Sequence, residues 1–177
     1  MSSARDRVTA TALKMFSERG FAAVSMRDLA RELGIQAPSL YSHYPSKDAL
    51  LEATIAPLMD AVDKLLAEAP TEPVSEEERR EWLLAYVRLI VSERVALRIA
   101  VTDRTVAGRP NLGERLRDQS LRLRRLLTMF GAADELIGVS VSGYLCWPSL
   151  WLPDPLTPEE QERLVETAID MLSGKQV

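Results

Sequence analysis

Apolar positions recur at three- and four-residue intervals along almost the whole chain, and no stretch alternates apolar with polar residues long enough to make a strand. The pattern predicts an all-α fold of about nine helices. Val8, Ala12, Met15 and Phe16 make one stripe, ended by Gly20. Ser25 then precedes MRD with Asp28 three positions on, a capping-box start. Leu29, Ala30 and Leu33 face inward, and Gly34 suits the left-handed turn that closes a helix. A short third helix starts near Pro38 and ends before Pro45. Ser46 caps a fourth, in which Leu50, Leu51, Thr54, Ile55, Leu58, Met59, Val62, Leu65 and Leu66 keep helical spacing over roughly 30 Å. Pro57 sits in its middle, where it removes a backbone bond and predicts a kink.

APTEPVSEEE reads as a loop and a capped, acid-rich helix start. Helical segments follow over about Glu76 to Val91, Ser92 to Val106, Asn111 to Phe130, Ala132 to Leu150 and Pro158 to Ser173, with WLPDPLTP joining the last two. Leu136 to Pro153 is uncharged over 18 residues, but two Gly, three Ser and two Pro interrupt it, so a buried helix is expected rather than a membrane span. The segment Leu164, Val165, Ala168, Ile169 and Leu172 carries a clean apolar stripe.

Charge changes this picture in one region. The chain of 177 residues carries a net charge of -4, yet residues 1 to 50 hold seven Lys/Arg (Arg5, Arg7, Lys14, Arg19, Arg27, Arg31, Lys47) against five acids, a net +2, so the remainder carries -6. The basic excess therefore sits at the N-terminus. One Cys, Cys146, excludes an internal disulfide, and with a single His no protein-only zinc site is expected. The start of the chain has no apolar run like that of a signal peptide, and a cytoplasmic setting is expected.

Candidate chemistry concentrates in IQAPSLYSHYPSK, residues 35 to 47. Helix, glycine turn and short helix is the helix-turn-helix arrangement, whose second helix enters the DNA major groove. At 100° per residue, Leu40, Tyr44 and Ala37 turn toward the core, and Pro38, Ser39, Ser42 and His43 turn away from it. That outer side is small, polar and free of acids, so backbone and hydroxyls can come close to bases and phosphates. Lys47 lies in the first turn of helix four, where a cation opposes the helix dipole and needs a partner; a phosphate is one. Ser25 and Arg27 offer a similar site at helix two, and Ala37 is a poor cap that leaves amides for DNA oxygens. Interfacial packing by the His and the two Tyr, with an ordinary solvated cap at Ser46 and Lys47, is the structural alternative for each residue alone. An enzyme finds no support: Ser42 and His43, as helical neighbours, point 100° apart, and the chain has no glycine-rich phosphate loop and no metal cluster. No catalytic residue and no cofactor are expected. A helix-turn-helix interaction protein without ligand sensing is the other reading.

The run TALKMFSERGFAAVSMRDLARELGIQAPSLYSHYPSKDALL, residues 11 to 51, closely resembles the DNA-binding domain of the TetR family of bacterial one-component repressors. FSERGF, the Ser25 helix start, the DLA/LGI turn, LYSHYPSK and DALL carry the match. The resemblance implies a DNA-binding domain over residues 1–46 and a helical effector-binding and dimerisation domain over 47–177, with helix four bridging both. It implies a bacterial, ligand-responsive homodimer whose two recognition helices enter successive major grooves of a near-palindromic double-stranded operator. By position, Ser25, Tyr41, His43 and Lys47 become phosphate contacts, and Gln36, Ala37, Pro38, Ser39 and Ser42 face bases; Leu40 and Phe16 are core. Ala37-Pro38-Ser39 replaces the Lys, Arg or Thr of many relatives. Helix three then has no Arg for bidentate guanine contact, which favours Gln36 to adenine, thymine methyl contacts and DNA shape.

The same resemblance makes the remaining helices a core for an unidentified small molecule, with the last two helices pairing with their mates. Met59, Trp82, Tyr86, Phe130, Tyr144 and Trp147 are the pocket candidates, and plain core is the alternative for each. Leu145, Leu164, Val165, Ala168, Ile169 and Leu172 are the dimer candidates. Arg115, Arg117, Arg122, Arg124 and Arg125 spread around helix seven and read as an acid-paired surface rather than an anion site.

Overall fold

A computed structural model describes residues 3–103 and 108–174; among them the secondary structure is entirely helical. In chain order the helices are α1 (Ala4–Arg19), α2 (Met26–Leu33), α3 (Ala37–His43), α4 (Lys47–Ala67), α5 (Glu76–Ser92), α6 (Arg94–Thr102), α7 (Pro110–Met129), α8 (Glu135–Trp151) and α9 (Pro158–Leu172). The expected continuation of the sixth helix to Val106 lies outside the described residues.

Four of these helices begin with a reciprocal capping box, Ser3 with Asp6, Ser25 with Asp28, Ser75 with Glu78 and Thr157 with Glu160. Each satisfies two amides that a helix start would otherwise leave bare. The Ser25 hydroxyl and amide hold the Asp28 carboxyl below the usual range, as those of Ser75 do for Glu78. Gly34 closes α2 in the left-handed conformation, φ 68, which any side chain would strain.

The chain divides into two compact units. The first comprises residues 1–59 and 95–114, the second 60–94 and 115–177, so α4 and α7 each run from one unit into the other. This packing division falls later in α4 than residue 46 and adds α6 to the first unit, because Ala96, Ile99 and Ala100 are buried and apolar surface follows burial rather than sequence order. Within the first unit α1 packs on α2 and α2 on α3. Phe16, Leu29, Leu40, Leu50 and Leu51 are fully buried, and Phe16 meets Phe21 edge to face at 5.2 Å.

In the second unit α5, α8 and α9 pack on one another. Trp82 stacks on Tyr86 at 5.7 Å and meets Phe130 edge-on at 5.7 Å, and all three are buried. Of the α7 arginines, Arg115, Arg122 and Arg124 are acid-paired. Arg115 reaches Asp60 and Asp63, each at 2.6 Å, Arg122 reaches Asp63 at 3.1 Å, and Arg124 reaches Glu135 at 3.3 Å. The uncharged segment around α8 is covered on one side only: Gly138, Val141, Leu145 and Leu150 are buried, while Leu136, Val139, Trp147 and Trp151 are exposed. No helix among the described residues is long and apolar enough to cross a membrane.

Candidate nucleic-acid interface

The third helix is anchored through its two largest inward side chains. Leu40 and Tyr44 are buried, whereas Gln36, Pro38, Ser39, Tyr41, Ser42 and His43 are exposed and Ala37 is half-buried. A seven-residue helix is too short to hold itself in water, so this anchoring, not propensity, keeps it in shape. Its outer face carries no acid. Gln36 stands at the cap without a side-chain hydrogen bond. Fewer amides are left there than expected: Pro38 has none and that of Ser39 donates to the Gln36 carbonyl at 3.0 Å, which leaves the amide of Ala37. The Ser42 hydroxyl donates to the Ser39 carbonyl at 2.7 Å, its oxygen still open to a donor.

Beside α3 lies an open depression of about 490 Å³ lined by Ala22 to Met26, Tyr41, Pro45, Ser46 and Lys47. Two helix starts open onto it. The Ser25 hydroxyl accepts from the Asp28 amide at 3.1 Å, and the Ser46 hydroxyl accepts from that of Ala49 at 3.0 Å. Among the described residues no hydrogen bond takes up the amides of Met26, Arg27, Lys47 or Asp48. Bare amides at two neighbouring helix starts attract an oxyanion through both their N–H groups and the helix dipoles. Tyr41 is 47 % exposed at the rim, its hydroxyl available to the same anion. Arg27 is exposed with no carboxylate partner among the described residues, while Arg31 is tied to Asp28 at 2.6 Å.

Lys47 is turned differently from the outward pose read in the sequence. Its Nζ donates to the carbonyls of Phe21 and Val24, each at 2.9 Å, and stands 4.2 Å from the Phe21 ring centroid. The cation that opposes the dipole of α4 finds its counterpart inside the chain, because a four-carbon stem reaches the bare carbonyls of the α1–α2 turn. Lys47 thus shapes the depression, and its ammonium is spent on the wall.

The two other predicted sets are rearranged by the fold. Trp82, Tyr86 and Phe130 form a packed aromatic cluster, and Met59 is buried in the first unit. The Tyr86 hydroxyl lies 3.3 Å from Cys146 Sγ. Burial pushes both groups up, so each is neutral at pH 7. Tyr144 and Trp147 face the opposite way, onto a shallow apolar groove completed by Val139, Gly143, Pro148 and Met171. Leu145, Leu164, Val165, Ala168, Ile169 and Leu172 are all buried within the chain, and α9 packs on α5 and α8. A stripe marks the covered side of a helix without telling whether the cover is the same chain or another. Among the described residues an exposed apolar face belongs to α8, with Leu136 74 %, Trp147 62 % and Trp151 59 % exposed and the two indoles 5.3 Å apart. Its spacing of 136, 139, 143, 147 and 151 was readable, but α8 is apolar all round, so periodicity did not single it out.

The geometry defines a helix-turn-helix module with a wet, acid-free outer face. Residues 8–54 match the family model described as bacterial regulatory proteins, tetR family. Over 59 residues the chain is 37% identical to the transcriptional repressor KstR2 of Mycolicibacterium smegmatis, covering 33% of this chain and 29% of the relative. Its matches span 18% to 29% of the first curated relatives. The ketosteroid transcriptional regulator KstR2 of Mycobacterium tuberculosis superposes with a TM-score of 0.77 at 20% identity over 98% of this chain and 95% of that one. PfmR from Thermus thermophilus superposes with a TM-score of 0.71 at 25% identity over 97% and 100%.

Proposed function

We propose that the protein is a DNA-binding transcriptional repressor that acts as a homodimer in the bacterial cytoplasm and leaves its operator when a small molecule binds. One observation carries the DNA reading: the exposed face of α3, free of acids, stands beside a depression onto which two helix starts open with bare amides. Phosphate groups fit those helix starts, with Ser25, Arg27, Tyr41 and His43 around them, and base edges fit Gln36, Ala37, Pro38, Ser39 and Ser42. The relatives' names as transcriptional repressors support the same reading.

Selection of duplexes from a random pool, followed by affinity measurements across salt, tests it. A retained near-palindrome and a steep fall of affinity with salt are expected. Failure to retain any duplex, or affinity indifferent to salt, overturns it.

Homodimerisation rests on the exposed α8 face. Four large apolar side chains in one stripe are a patch that a second copy would cover isologously, α8 against α8. Release by a ligand rests on α4, whose Pro57 lies two residues before the point where the helix passes from the first unit to the second. A ligand that prefers one bend of α4 needs a coupling of about 1 to 3 kcal/mol to change operator occupancy some 5- to 150-fold. Pro57→Ala should alter the ligand response more than bare DNA affinity; equal loss of both removes the hinge.

A further inference from the structure

Phe21 occupies the turn between α1 and α2, and the groups that hold it come from far along the chain. Gly20, at φ 81 and ψ 149, provides a backbone conformation closed to other residues and delivers Phe21 into the first unit. The Phe21 amide donates to Asp103 Oδ2 at 3.2 Å, and its carbonyl accepts from Lys47 Nζ at 2.9 Å. The Arg109 guanidinium lies 4.8 Å from the Phe21 ring centroid, and Lys47 Nζ lies 4.2 Å from the same centroid. Two cations on one ring repel each other, and a carboxylate offsets the repulsion: Arg109 pairs at 2.7 Å with Asp48, the residue after Lys47. The turn held in this way runs directly into Ser25, and its residues Ala22 to Val24 wall the depression that takes the anion.

We propose that Asp103 and Arg109, which lie outside the helix-turn-helix, are positioning residues for DNA binding. They fix the Phe21–Val24 turn and, through it, the spacing between the start of α2 and the start of α4. The inference rests on the DNA-binding reading above. Its physical basis is preorganisation. A phosphate that spans two helix starts gains from both only if their separation is set beforehand, and a turn left loose must be ordered during binding at the expense of affinity. Lys47 alone cannot set it, since its ammonium shares the Phe21 ring with Arg109 and its neighbour Asp48 is held by the same guanidinium. Neither Asp103 nor Arg109 is placed toward DNA by this role, so each acts without touching a phosphate.

The test uses the full chain and a duplex that the wild-type protein has selected from a random pool. Arg109→Ala and Asp103→Ala should each weaken binding about tenfold, with unchanged molecular mass and unfolding temperature. The slope of log affinity against log salt should stay that of the wild type, because no phosphate contact is lost. Arg109→Lys, which keeps a cation beside the ring and Asp48, should recover most of the loss. Two results overturn the proposal: undiminished affinity in both variants, or a slope shallower by about one in Arg109→Ala, which makes Arg109 a phosphate contact in its own right. Should Arg109→Ala fail to fold, Asp103→Ala decides alone, since it removes the acceptor of the Phe21 amide. A wild-type chain that selects no duplex ends the DNA-binding reading before any variant is compared.

Discussion

Among the described residues the outer sides of α3 and α8 are both exposed, and they are opposite in character. The outer side of α3 offers a proline, two serines and a histidine; that of α8 offers a leucine, a valine and two tryptophans. A small polar face loses little in water and gains from a wet, anionic partner that needs close approach. A large apolar face is unfavourable in water and gains from a dry partner, at about 25 cal/mol for each Å² removed from solvent. The difference teaches that exposure alone does not define a site. The chemistry of the exposed atoms states which kind of partner each surface fits, and the two faces call for different ones.

The strongest attack on this comparison is a charge in the dry face. Trp147→Asp should halve the molecular mass seen by sedimentation and weaken operator binding a hundredfold or more, about 2.7 kcal/mol, since each half-site would then be bound singly. A monomeric wild type, or a variant of unchanged mass, takes the second copy away from α8.

Ser39→Glu places a charge in the wet face. An acid in the first turn of α3 favours the helix and repels phosphate, so folding and binding move in opposite directions. DNA affinity should fall at least tenfold, with mass and unfolding temperature unchanged; tolerance of the acid shows that α3 does not approach DNA.

A gentler measurement concerns Arg27, exposed beside the α2 start. Arg27→Ala should weaken every duplex alike, severalfold, and lower the salt slope by about one. A sequence-dependent loss instead makes it a base contact.

The smallest effect belongs to the acid-paired arginines, which contrast with an open anion site. Burial pushes the Asp63 carboxyl up, but hydrogen bonds from Gln119 and Arg115 and the charges of Arg115 and Arg122 outweigh it and hold the group below its ordinary 3.8. A depressed folded value means stability that is present above the unfolded value and lost as pH falls through the folded one. Asp63→Asn should therefore cost less than about 1 kcal/mol at pH 7 in denaturant unfolding, and the gap to wild type should close as the pH falls below the ordinary carboxylate value. A gap that persists in acid shows that packing, not charge, sets the effect.

Most of the helices were legible because their signals are local. Ser25 with Asp28, Ser75 with Glu78 and Gly34 are each read within four residues, and the structure places a helix end at every one. The segregation of Leu40 and Tyr44 from Ser39, Ser42 and His43 follows from the helical period alone and holds in the fold. The pose of Lys47 was not legible because its partners are the carbonyls of Phe21 and Val24, more than twenty residues away. The aromatic residues were sorted by type, and type does not tell a packed ring from an exposed one. Trp82 and Trp147 share a chemistry and lie in opposite environments.

The sequence by itself determined an all-helical chain, the limits of most helices and the acid-free face of α3, since these depend on periodicity, caps and charge within one or two turns. Tertiary structure decided what covers each apolar stripe, where the ammonium of Lys47 is spent, and that Asp103 and Arg109 reach the Phe21 turn. Those outcomes depend on contacts between residues tens of positions apart, and a linear pattern holds no information about which distant surface will be at hand to bury a side chain or neutralise a charge.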